Sequence, residues 1–428
     1  MAVKLEEMIA IMEREGVSLP AGTGRDGAVI AVDLRNALGR HFFEKRRAEG
    51  ACETRLAHLR QRMIMDPMKA YRYDKISAEE QRRVMESEHW FMEEKYNGWR
   101  IVLSYLPGKG FAAFGGNCSD VDFLPLDYTD KIMFRCGGEF LDLDNERFHS
   151  ILPHAAIFDT EVLCFTVVEN RKGSFSSNTL DTVGTILSLP PSEARALQYG
   201  GAVLEFRAFD FVRFFDNKPE RAVGYMMRRM GLLETAVNKA WPDVVQIAPS
   251  TIADKNALLR TFWNRGGEGA VLKHAKGAYI PGGRKKDIAI KIKRTMSGDI
   301  GDDLDAFISG YVNTIEWNKK GLIGGVELSV YLNGNEHVVA TVSSMPDEVR
   351  EQLTDHHWYD PTGEYESDRK PRLASQFYGK VLTIDGQELS ARNKRLMHAK
   401  ADWARGFRQD KDATQCVLSM EDFESAMF

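Results

Sequence analysis

The 428-residue sequence has no apolar run that approaches the roughly 20 residues needed to span a bilayer, so we expect no membrane helix. Its N-terminus, MAVKLEE, mixes charged and apolar residues, which is not the pattern of a secretion signal. The five cysteines are scattered and odd in number, and none belongs to a C-x-x-C pair. We therefore expect neither a disulfide framework nor a zinc site, and a reducing compartment is the default.

An excess of positive charge is also absent. Lys and Arg number 57 and Asp and Glu 62, which gives a formal net charge of −5. This balance argues weakly against a nucleic-acid partner, but only one face of a protein has to contact phosphates, so local charge matters more. Residues 35–62 carry eight basic and three acidic residues. This stretch is either a solvated helical face or an arm that binds phosphates.

The composition, 43% apolar and 28% charged, is that of a globular protein, and the length predicts two or three domains. Apolar residues at helical spacing predict a helical segment over 1–64, with helices at 32–47 and 53–63. Residues 65–297 mix strand-like runs with helices, including one at 220–230 after Pro219. Because a regular strand–helix alternation is missing, this pattern favours an α+β fold. Strands are expected at 101–106, 156–165, 204–211, 270–272 and 288–292.

The last part of the chain, residues 298–428, has a different pattern. A polar stretch at 297–303 is typical of a hinge. Short strand-like runs follow, with Asn-Gly and Asp-Gly turns between them, and these features predict a small β-barrel. The strands of this barrel are expected at 306–311, 325–331, 337–342 and 378–383.

The first chemical motif is the segment 93–100, EEKYNGWR. Lys95 stands before a tight glycine turn and Arg100 follows five residues later, an arrangement that suits a nucleophile beside a phosphate ligand. A lysine that attacks phosphorus must be neutral, and burial and neighbouring cations favour the neutral amine. A surface turn with mixed charge has the same appearance, so the segment alone decides nothing.

Three further segments carry candidate residues, and each has a plain structural alternative. In 157–163, IFDTEVL, Glu161 suits a ribose or metal contact, or it is an edge-strand carboxylate in solvent. In 268–273, EGAVLK, Glu268 suits Mg²⁺ coordination, or the segment is a solvated strand end. In 288–293, IAIKIK, alternation puts two lysines on one face, where they suit a triphosphate or simply face water.

Together, the order and spacing of these four segments resemble the ATP-dependent DNA ligases of the covalent nucleotidyltransferase superfamily. The shared motifs are KxDGxR, an acidic strand, EGxVxK and KxK, and the resemblance covers roughly residues 65–415. Residues 178–194 are similar to the corresponding segment of T-even-phage-type ligases, and 407–411, FRQDK, is similar to the terminal RxDK motif. The resemblance implies a helical segment (1–64), an adenylation domain (65–297) and an OB-fold barrel with an acidic, apolar tail (298–428).

The resemblance also implies roles for particular residues. Lys95 would carry AMP, and Arg100 would contact phosphate or the nick. The remaining implied roles are an adenine amino reader (Glu93), an adenine-stacking ring (Phe209), a ribose or metal ligand (Glu161), a metal ligand (Glu268), phosphate-neutralising cations (Lys273, Lys291, Lys293) and cations that orient the pyrophosphate leaving group (Arg408, Lys411). The implied cofactors are ATP and Mg²⁺ or Mn²⁺.

Three features depart from the family pattern. Asn97 replaces the usual aspartate of the first motif, which removes a charge beside the lysine. Residues 114–117, FGGN, stand where the family often has Ser-Arg-Asn, so an arginine contact is missing. The N-terminal part is much shorter than the helical DNA-binding domain of the larger ligases.

The implied function is the sealing of 3′-hydroxyl/5′-phosphate nicks in duplex DNA through a lysyl-AMP and a DNA-adenylate. An RNA ligase, a capping-type nucleotidyltransferase and a clamp that has lost catalysis remain as alternatives, while the missing zinc cysteines disfavour an NAD⁺-dependent ligase. We expect a monomer without a membrane partner, in a bacterial or phage-infected cytoplasm. The tail 420–428 is either a frayed terminus or a peptide that docks a replication protein such as a sliding clamp.

Overall fold

A computed structural model describes residues 5–23, 29–166, 168–169, 175–176, 179–265, 267–293, 304–313, 321–356, 370–385, 388–389, 395–397 and 399–419. The chain divides into two compact units. The first contains Met1–Phe262 and Gly267–Ile292, and the second Trp263–Gly266 and Lys293–Phe428. The predicted helical segment 1–64 lies within the first unit, so the threefold division stays a proposal. The predicted hinge at 297–303 and the tail 420–428 lie outside the described residues.

Helices and strands are mixed along the described residues, which confirms the α+β prediction. No helix among these residues has the length and apolar character that crossing a membrane requires. The helices are α1 (Leu5–Glu15), α2 (Ala31–Ala48), α3 (Glu53–Ile64), α4 (Ala78–Glu86), α5 (Thr179–Ser188), α6 (Pro191–Tyr199), α7 (Tyr225–Ala236), α8 (Lys255–Asn264) and α9 (Asp347–Leu353), with short 3-10 helices at Tyr73–Lys75, Thr129–Lys131, Glu146–Phe148, Ser375–Phe377 and Ala413–Gln415.

Two sheets organise the first unit. One has the strand order β1-β16-β15-β2-β14, and the other the order β12-β11-β8-β3-β4-β5 with β13 beside β11. The strands that precede residue 294 are β1 (Tyr71–Arg72), β2 (Trp90–Lys95), β3 (Trp99–Leu106), β4 (Gly110–Cys118), β5 (Pro125–Asp127), β6 (Met133–Cys136), β7 (Glu139–Asp142), β8 (Ala156–Leu163), β9 (Val168–Glu169), β10 (Phe175–Ser176), β11 (Glu205–Phe215), β12 (Lys218–Pro219), β13 (Val245–Ile247), β14 (Ser250–Thr251), β15 (Gly269–His274) and β16 (Ala289–Lys293).

The central strand β8 shows how the larger sheet positions polar groups. Successive side chains of a strand point to opposite faces. Phe158 and Val162 therefore lie on one face, in the main aromatic core of the unit. Asp159 and Glu161 lie on the other face, together with Ile157, which packs in a separate cluster with Met65. The strand thus places two carboxylates opposite its hydrophobic face.

The second unit is built on a six-stranded sheet in the order β19-β18-β17-β22-β25, with β26 beside β18. Asn333 and Gly334 connect β18 and β19 with φ values of 50° and 80°, as a tight type I′ hairpin turn requires. Its core includes Phe307, Leu328 and Val339. The strands are β17 (Leu304–Val312), β18 (Gly325–Leu332), β19 (Asn335–Val342), β20 (Thr354–Asp355), β21 (Arg372–Leu373), β22 (Val381–Asp385), β23 (Glu388–Leu389), β24 (Leu396–Met397), β25 (Lys400–Ala401) and β26 (Val417–Leu418).

Two predicted elements are misplaced. The helix expected at 220–230 begins only at Tyr225, because Pro219 belongs to β12, which pairs with β11 across a turn at Asp216 and Asn217 with positive φ. Pro219 therefore ends a hairpin and does not begin a helix. The strand expected at 378–383 begins at Val381, since Gly379 adopts φ of 78° in a turn that precedes it.

Candidate active site

Lys95 and Glu268 form an ion pair at the edge where β2 meets β15. The antiparallel register sets Gly269 opposite Lys95, which brings the preceding Glu268 next to the lysine. The Lys95 side chain is 22% exposed and that of Glu268 13%, so the pair is largely shielded from solvent. This contact joins the first and third sequence motifs, which are far apart in the chain.

Gly98 lies in the turn between β2 and β3, where its backbone N–H donates to Glu161 Oε1 at 3.2 Å. A Cβ atom at this position would lie 2.4 Å from the carbonyl oxygen of Val162 and 2.7 Å from the Leu163 side chain. Real Cβ atoms do not approach a backbone oxygen so closely. Glycine is therefore required here by the close approach of β8, which also brings Glu161 up to the turn after Lys95.

Replacing Gly98 with alanine is expected to displace the turn that follows the nucleophile. Overpacking of this kind destabilises a protein by about 1–3 kcal/mol. A shift of about 1 Å in a reacting group can slow chemistry by about 10²-fold. Denaturant unfolding and the rate of AMP transfer from ATP measure the two effects. Gly108→Ala is the control, because its Cβ has no atom within 4 Å and only its φ of +71° is strained. Equal AMP transfer by both variants would contradict the prediction.

Glu161 is the most perturbed carboxyl group near Lys95. Burial raises its pKa to about 7, and the negative charge of Glu268 acts in the same direction, while Lys95, Arg100 and the Gly98 N–H oppose it. Within the described part of the chain, no three His, Cys, Asp or Glu side chains gather as a metal site. Mg²⁺, however, is often held by one or two carboxylates together with substrate phosphates. Two mutually repelling carboxylates, one of them resisting ionisation, fit such a cation.

The raised pKa of Glu161 predicts that Glu161→Gln stabilises the protein in the absence of metal and nucleotide. A carboxyl group whose pKa is raised by folding stabilises the fold below its unfolded pKa, and that contribution is lost as the pH rises through the folded value, here about 7. We expect the variant to gain about 1–3 kcal/mol near pH 8.5 and only a small fraction of that near pH 4.5, where the unfolded carboxyl group is itself about half protonated. Denaturant titrations at both pH values measure the gain in the free energy of unfolding. An equal gain at both pH values would contradict the raised pKa of Glu161 as its cause.

Arg100 is held by the buried carboxylate of Asp159. Its Nε donates to Asp159 Oδ1 at 2.9 Å and its Nη2 to Oδ2 at 2.6 Å, while Nη2 also donates to the Met68 carbonyl oxygen at 2.8 Å. The hydroxyl group of Tyr279 donates to Asp159 Oδ2 at 2.7 Å. Sequence motifs alone did not single out Asp159 or Tyr279, yet both fix the orientation of the predicted phosphate ligand.

Phe209 owes its position to a β-bulge. The register between β11 and β8 shifts between Ala208 and Asp210, and Phe209 is the residue in between. Bulges re-aim side chains and often lie next to active sites. Lys273 Nζ lies 4.7 Å from the centroid of the Phe209 ring, and Arg100 Cζ lies 5.3 Å from it. The ring therefore lies beside two of the predicted phosphate-binding cations.

Glu93 is the centre of a buried polar network. The register of β2 against β15 places Val271 opposite it, and its side chain accepts from Lys273 Nζ at 2.8 Å, from Arg229 Nη1 at 3.3 Å and from the Tyr225 hydroxyl. Burial and the Glu93 charge raise the pKa of Tyr225 well above its usual value, so this hydroxyl stays a donor. Lys273 also donates to the Phe209 carbonyl oxygen at 2.5 Å.

The same network extends to Asp210 and Arg228, which are both buried. Arg228 donates to both oxygens of Asp210, at 2.7 and 3.1 Å, and Lys273 Nζ lies 3.9 Å from Oδ2. Burial alone would raise the pKa of Asp210, but the cations Arg228 and Lys273 lower it overall. Sequence reasoning missed Tyr225, Arg228 and Arg229. The only available signal was two adjacent arginines in a helix that otherwise carries many apolar residues.

The remaining predicted cations lie in two places. Lys291 and Lys293 are two residues apart in β16 and therefore share a face of the strand, and the register puts Arg72 opposite Lys291. Arg408 and Lys411 belong to the second unit, where both contact Asp305. The structure thus gathers the other predicted residues in two contact groups, one of Lys95 with Glu268 and one of Glu93 with Lys273, Phe209 and Arg100, while Glu161 accepts from the turn after Lys95. Lys291 and Lys293 lie on β16, in the sheet that also contains β2 and β15.

The glycine pair of the FGGN segment is closely packed. A Cβ at Gly116 would lie 3.3 Å from Arg100 Cβ, a tight contact that a shift of a few tenths of an ångström would relieve. The buried Arg62 of α3 donates from Nη2 to the carbonyl oxygens of Gly115 at 2.9 Å and Gly116 at 3.2 Å. The glycine pair is therefore contacted by Arg100 on β3 and by an arginine of the N-terminal helices.

Comparisons with known proteins agree with this geometry. A family model described as the ATP dependent DNA ligase domain matches residues 67–293, just over half of the chain. No curated protein matches the chain. The match covers nearly all of the predicted adenylation domain and ends before the predicted OB-fold barrel.

Several solved structures are similar to the chain at low identity. Mycobacterial DNA ligase D in complex with ATP and MES has 17% identity over 82% of this chain and 97% of that chain, with a TM-score of 0.40. The ATP-dependent DNA ligase of bacteriophage T7 in complex with ATP has 14% identity over 78% and 97%, with a TM-score of 0.34. The Chlorella virus DNA ligase-adenylate has 15% identity over 82% and 100%, with a TM-score of 0.30.

Proposed function

The chain belongs to the family of ATP-dependent DNA ligases, and from this premise we propose that it seals 3′-hydroxyl/5′-phosphate nicks in duplex DNA, with Lys95 as the residue that carries AMP. The observation that supports this proposal best is the set of groups next to Lys95. The lysine pairs with Glu268, whose charge acts on Glu161, and Glu161 accepts from the Gly98 turn that follows the lysine. Two further predicted cations, Arg100 and Lys273, lie beside the ring of Phe209.

In the first step, Lys95 Nζ attacks the α-phosphorus of ATP. A nitrogen–phosphorus bond forms, the bond from the α-phosphorus to the bridging oxygen breaks, pyrophosphate leaves and the lysine loses a proton. An oxygen of the 5′-phosphate at the nick then attacks the AMP phosphorus, and the nitrogen–phosphorus bond to Lys95 breaks. Finally the 3′-hydroxyl attacks the 5′-phosphorus, a phosphodiester bond forms, the hydroxyl proton is lost and AMP leaves. All three steps are phosphoryl-type transfers, so the protein contributes chiefly positioning and electrostatic stabilisation. Glu268 holds Nζ in place before the attack.

The adenine and ribose contacts follow from the same network. A carboxylate offers about four lone-pair sites, and Tyr225, Arg229 and Lys273 use three of those on Glu93. The fourth lone-pair site of Glu93 can accept from one further donor, such as the exocyclic amino group of adenine. We propose that Phe209 stacks on the base and that Glu161 contacts the ribose or a metal ion.

The charge on the triphosphate is balanced by cations of the chain. We propose that Lys291 and Lys293 face the phosphates and that Arg100 contacts phosphate or the nick, with Asp159 fixing its guanidinium. Lys273 is buried against Glu93 and beside the Phe209 ring. Its positive charge would therefore stabilise the phosphates at a distance, without direct contact. Arg408 and Lys411 orient the leaving pyrophosphate. Mg²⁺ or Mn²⁺ held by Glu161 and Glu268 would offset the negative charge that builds up on the phosphate oxygens.

The N-terminal helices offer a surface for duplex DNA. Several of the predicted basic residues are engaged within the fold, since Arg46 pairs with Asp122 and Arg55 with Asp127. Others line an open groove of about 1360 Å³ between α2, α3 and β4. We propose that this groove binds backbone phosphates, although Glu44, Glu53 and Asp120 also line it. The basic lining residues are Arg35, Arg40, Arg47, Arg60 and Lys69, and also Arg62, whose guanidinium is buried on the carbonyl oxygens of Gly115 and Gly116.

One experiment tests the function. The protein is incubated with α-labelled ATP or GTP and then chased with nicked duplex DNA or nicked duplex RNA. We expect a covalent adduct with ATP alone and transfer of the label to nicked DNA, followed by sealing. Preferential sealing of nicked RNA would make the protein an RNA ligase, and labelling by GTP would make it a capping-type enzyme. DNA binding without any adduct would overturn the proposal.

The tail 420–428 is proposed to dock a replication protein such as a sliding clamp. Unchanged binding to replication proteins after deletion of these nine residues would remove that idea. The expectation of a monomer is checked by sedimentation of the full chain.

A further inference from the structure

Asp305 lies between the two cations of the terminal RxDK motif. It is the second residue of β17, and its side chain is 9% exposed. Arg408 Nη1 donates to its Oδ1 at 3.1 Å and to its Oδ2 at 2.9 Å, and Lys411 Nζ donates to Oδ2 at 2.5 Å. The two cationic groups therefore share one carboxylate oxygen, although they come from a segment about a hundred residues further along the chain.

Neighbouring strands also hold the carboxylate of Asp305 in place. Thr383 is directly opposite in the register of β17 and β22, and its hydroxyl donates to Asp305 Oδ1 at 2.7 Å. The backbone N–H of Arg408 donates to the carbonyl oxygen of Val381 at 2.9 Å, which sets the motif alongside β22. Burial by itself would raise the pKa of Asp305, but hydrogen bonds from Lys411 and Thr383 and the charges of Lys411 and Arg408 lower it overall.

Two like charges held close together repel each other, and each long side chain has many rotamers. A buried carboxylate that accepts from both reduces the repulsion and selects one arrangement. Asp410, the acidic residue of the motif itself, also binds Arg408, through Nε at 2.7 Å and Nη2 at 2.6 Å. Its side chain is 66% exposed and contacts Arg408 from the solvent side. Asp305 differs because it contacts both cations and lies on a strand of the barrel.

We propose that Asp305 is a positioning residue for self-adenylation, which holds Arg408 and Lys411 at the spacing that receives the pyrophosphate group. This inference rests on the proposed function of the two cations. It makes Asp305 specific to the first step, because pyrophosphate is present only there. Sealing of a nick that already carries AMP does not involve pyrophosphate, so the third step does not depend on this arrangement.

The test is Asp305→Asn, which keeps the size of the side chain and removes its charge. We expect the rate of AMP transfer from ATP to fall about 10–100-fold, the range typical of residues that hold a ligating group in place. In the reverse reaction of the preformed adduct, the KM for pyrophosphate should rise by a similar factor. Sealing of a pre-adenylated nick should proceed at the wild-type rate, which also shows that the variant is folded.

The matched control is Glu327→Gln, which neutralises another carboxylate on the barrel, 3.9 Å from Arg395. It should leave both steps unchanged. Should Asp305→Asn prove insoluble, Thr383→Val removes one donor to Asp305 without changing charge, and a smaller loss confined to the first step is expected. Equal losses in both steps, or no loss in either, would overturn the inference. If the wild-type protein forms no adduct, the proposed function itself fails, whatever the variants do.

Discussion

Lys95→Ala is expected to lose AMP transfer from ATP and to lower ligation from ATP by about 10⁴–10⁶-fold, the loss typical of removing a covalent nucleophile. No other amine can take over, because the reaction depends on the exact position of Nζ at the end of β2 next to Glu268. The measurement is covalent labelling of the protein by α-labelled ATP, together with the rate of nick sealing.

Two controls separate chemistry from folding. Lys95→Arg keeps a cation beside Glu268 but has no nucleophilic amine, so it should fail as completely as alanine. Both variants should still seal a nick that already carries AMP, since that substrate no longer needs the lysyl-AMP intermediate. A labelled adduct on Lys95→Ala, or loss of sealing on the pre-adenylated nick by Lys95→Arg, would contradict the role assigned to this residue.

Glu93→Gln is expected to lower the free energy of unfolding of the first unit by about 3–5 kcal/mol, because it leaves buried cations without their counter-charge. Lys273 and Arg229 both lose the carboxylate that now accepts from them, and the side chain of Lys273 is only 6% exposed. The variant should also bind ATP more weakly, since the amide no longer offers a charged acceptor. Chemical denaturation and ATP titration measure the two effects.

A matched ion pair in solvent provides the control. Glu139 and Arg147 lie 2.8 Å apart, the same distance as Glu93 and Lys273, but their side chains are more than half exposed. Glu139→Gln should therefore change the unfolding free energy by no more than about 1 kcal/mol. Adding Lys273→Met to Glu93→Gln should give a smaller loss than the sum of the two single variants. Strict additivity, or equal costs at Glu93 and Glu139, would contradict a buried network.

The sequence was most informative where a motif coincides with a strand. Strand-like apolar runs predicted strands at Glu161 and directly before Lys273, and the structure has strands there. The strand β2, which ends at Lys95, was not among the predicted strands. Contacts between these strands could be predicted only from the family resemblance. An ion pair such as Lys95–Glu268 depends on the register of β2 against β15, which no local pattern reveals. The closeness to T-even-phage-type ligases stays a prediction.

Other features could not be predicted, for physical reasons. The bulge at Phe209 arises from pairing with β8, and no local pattern in AFDF reveals it. Tyr225 and Arg229 are one helical turn apart on α7, which gives no signal until the helix packs against Glu93. The helix itself was placed five residues too early, directly after Pro219, whereas this proline closes a hairpin with β11.

The site combines groups that cost stability with groups that hold them in place. Glu161 resists ionisation, and it stands next to a second carboxylate, Glu268. The buried pair Arg228–Asp210, and Arg100 on the buried carboxylate of Asp159, fix the surrounding strands. Opposite stability effects are therefore expected at neighbouring carboxylates: Glu161→Gln stabilises the ligand-free protein at high pH, whereas Glu93→Gln destabilises it. Such a division is typical of sites in which function conflicts with local stability.

The central claim is that AMP is carried on Lys95. Its most direct test is mass spectrometry of the wild-type protein after incubation with ATP and Mg²⁺, followed by proteolysis and fragmentation of the modified peptide. The account predicts one AMP group, located on Lys95 and lost when nicked DNA is added. AMP on any other residue, or an adduct that persists in the presence of nicked DNA, would contradict it.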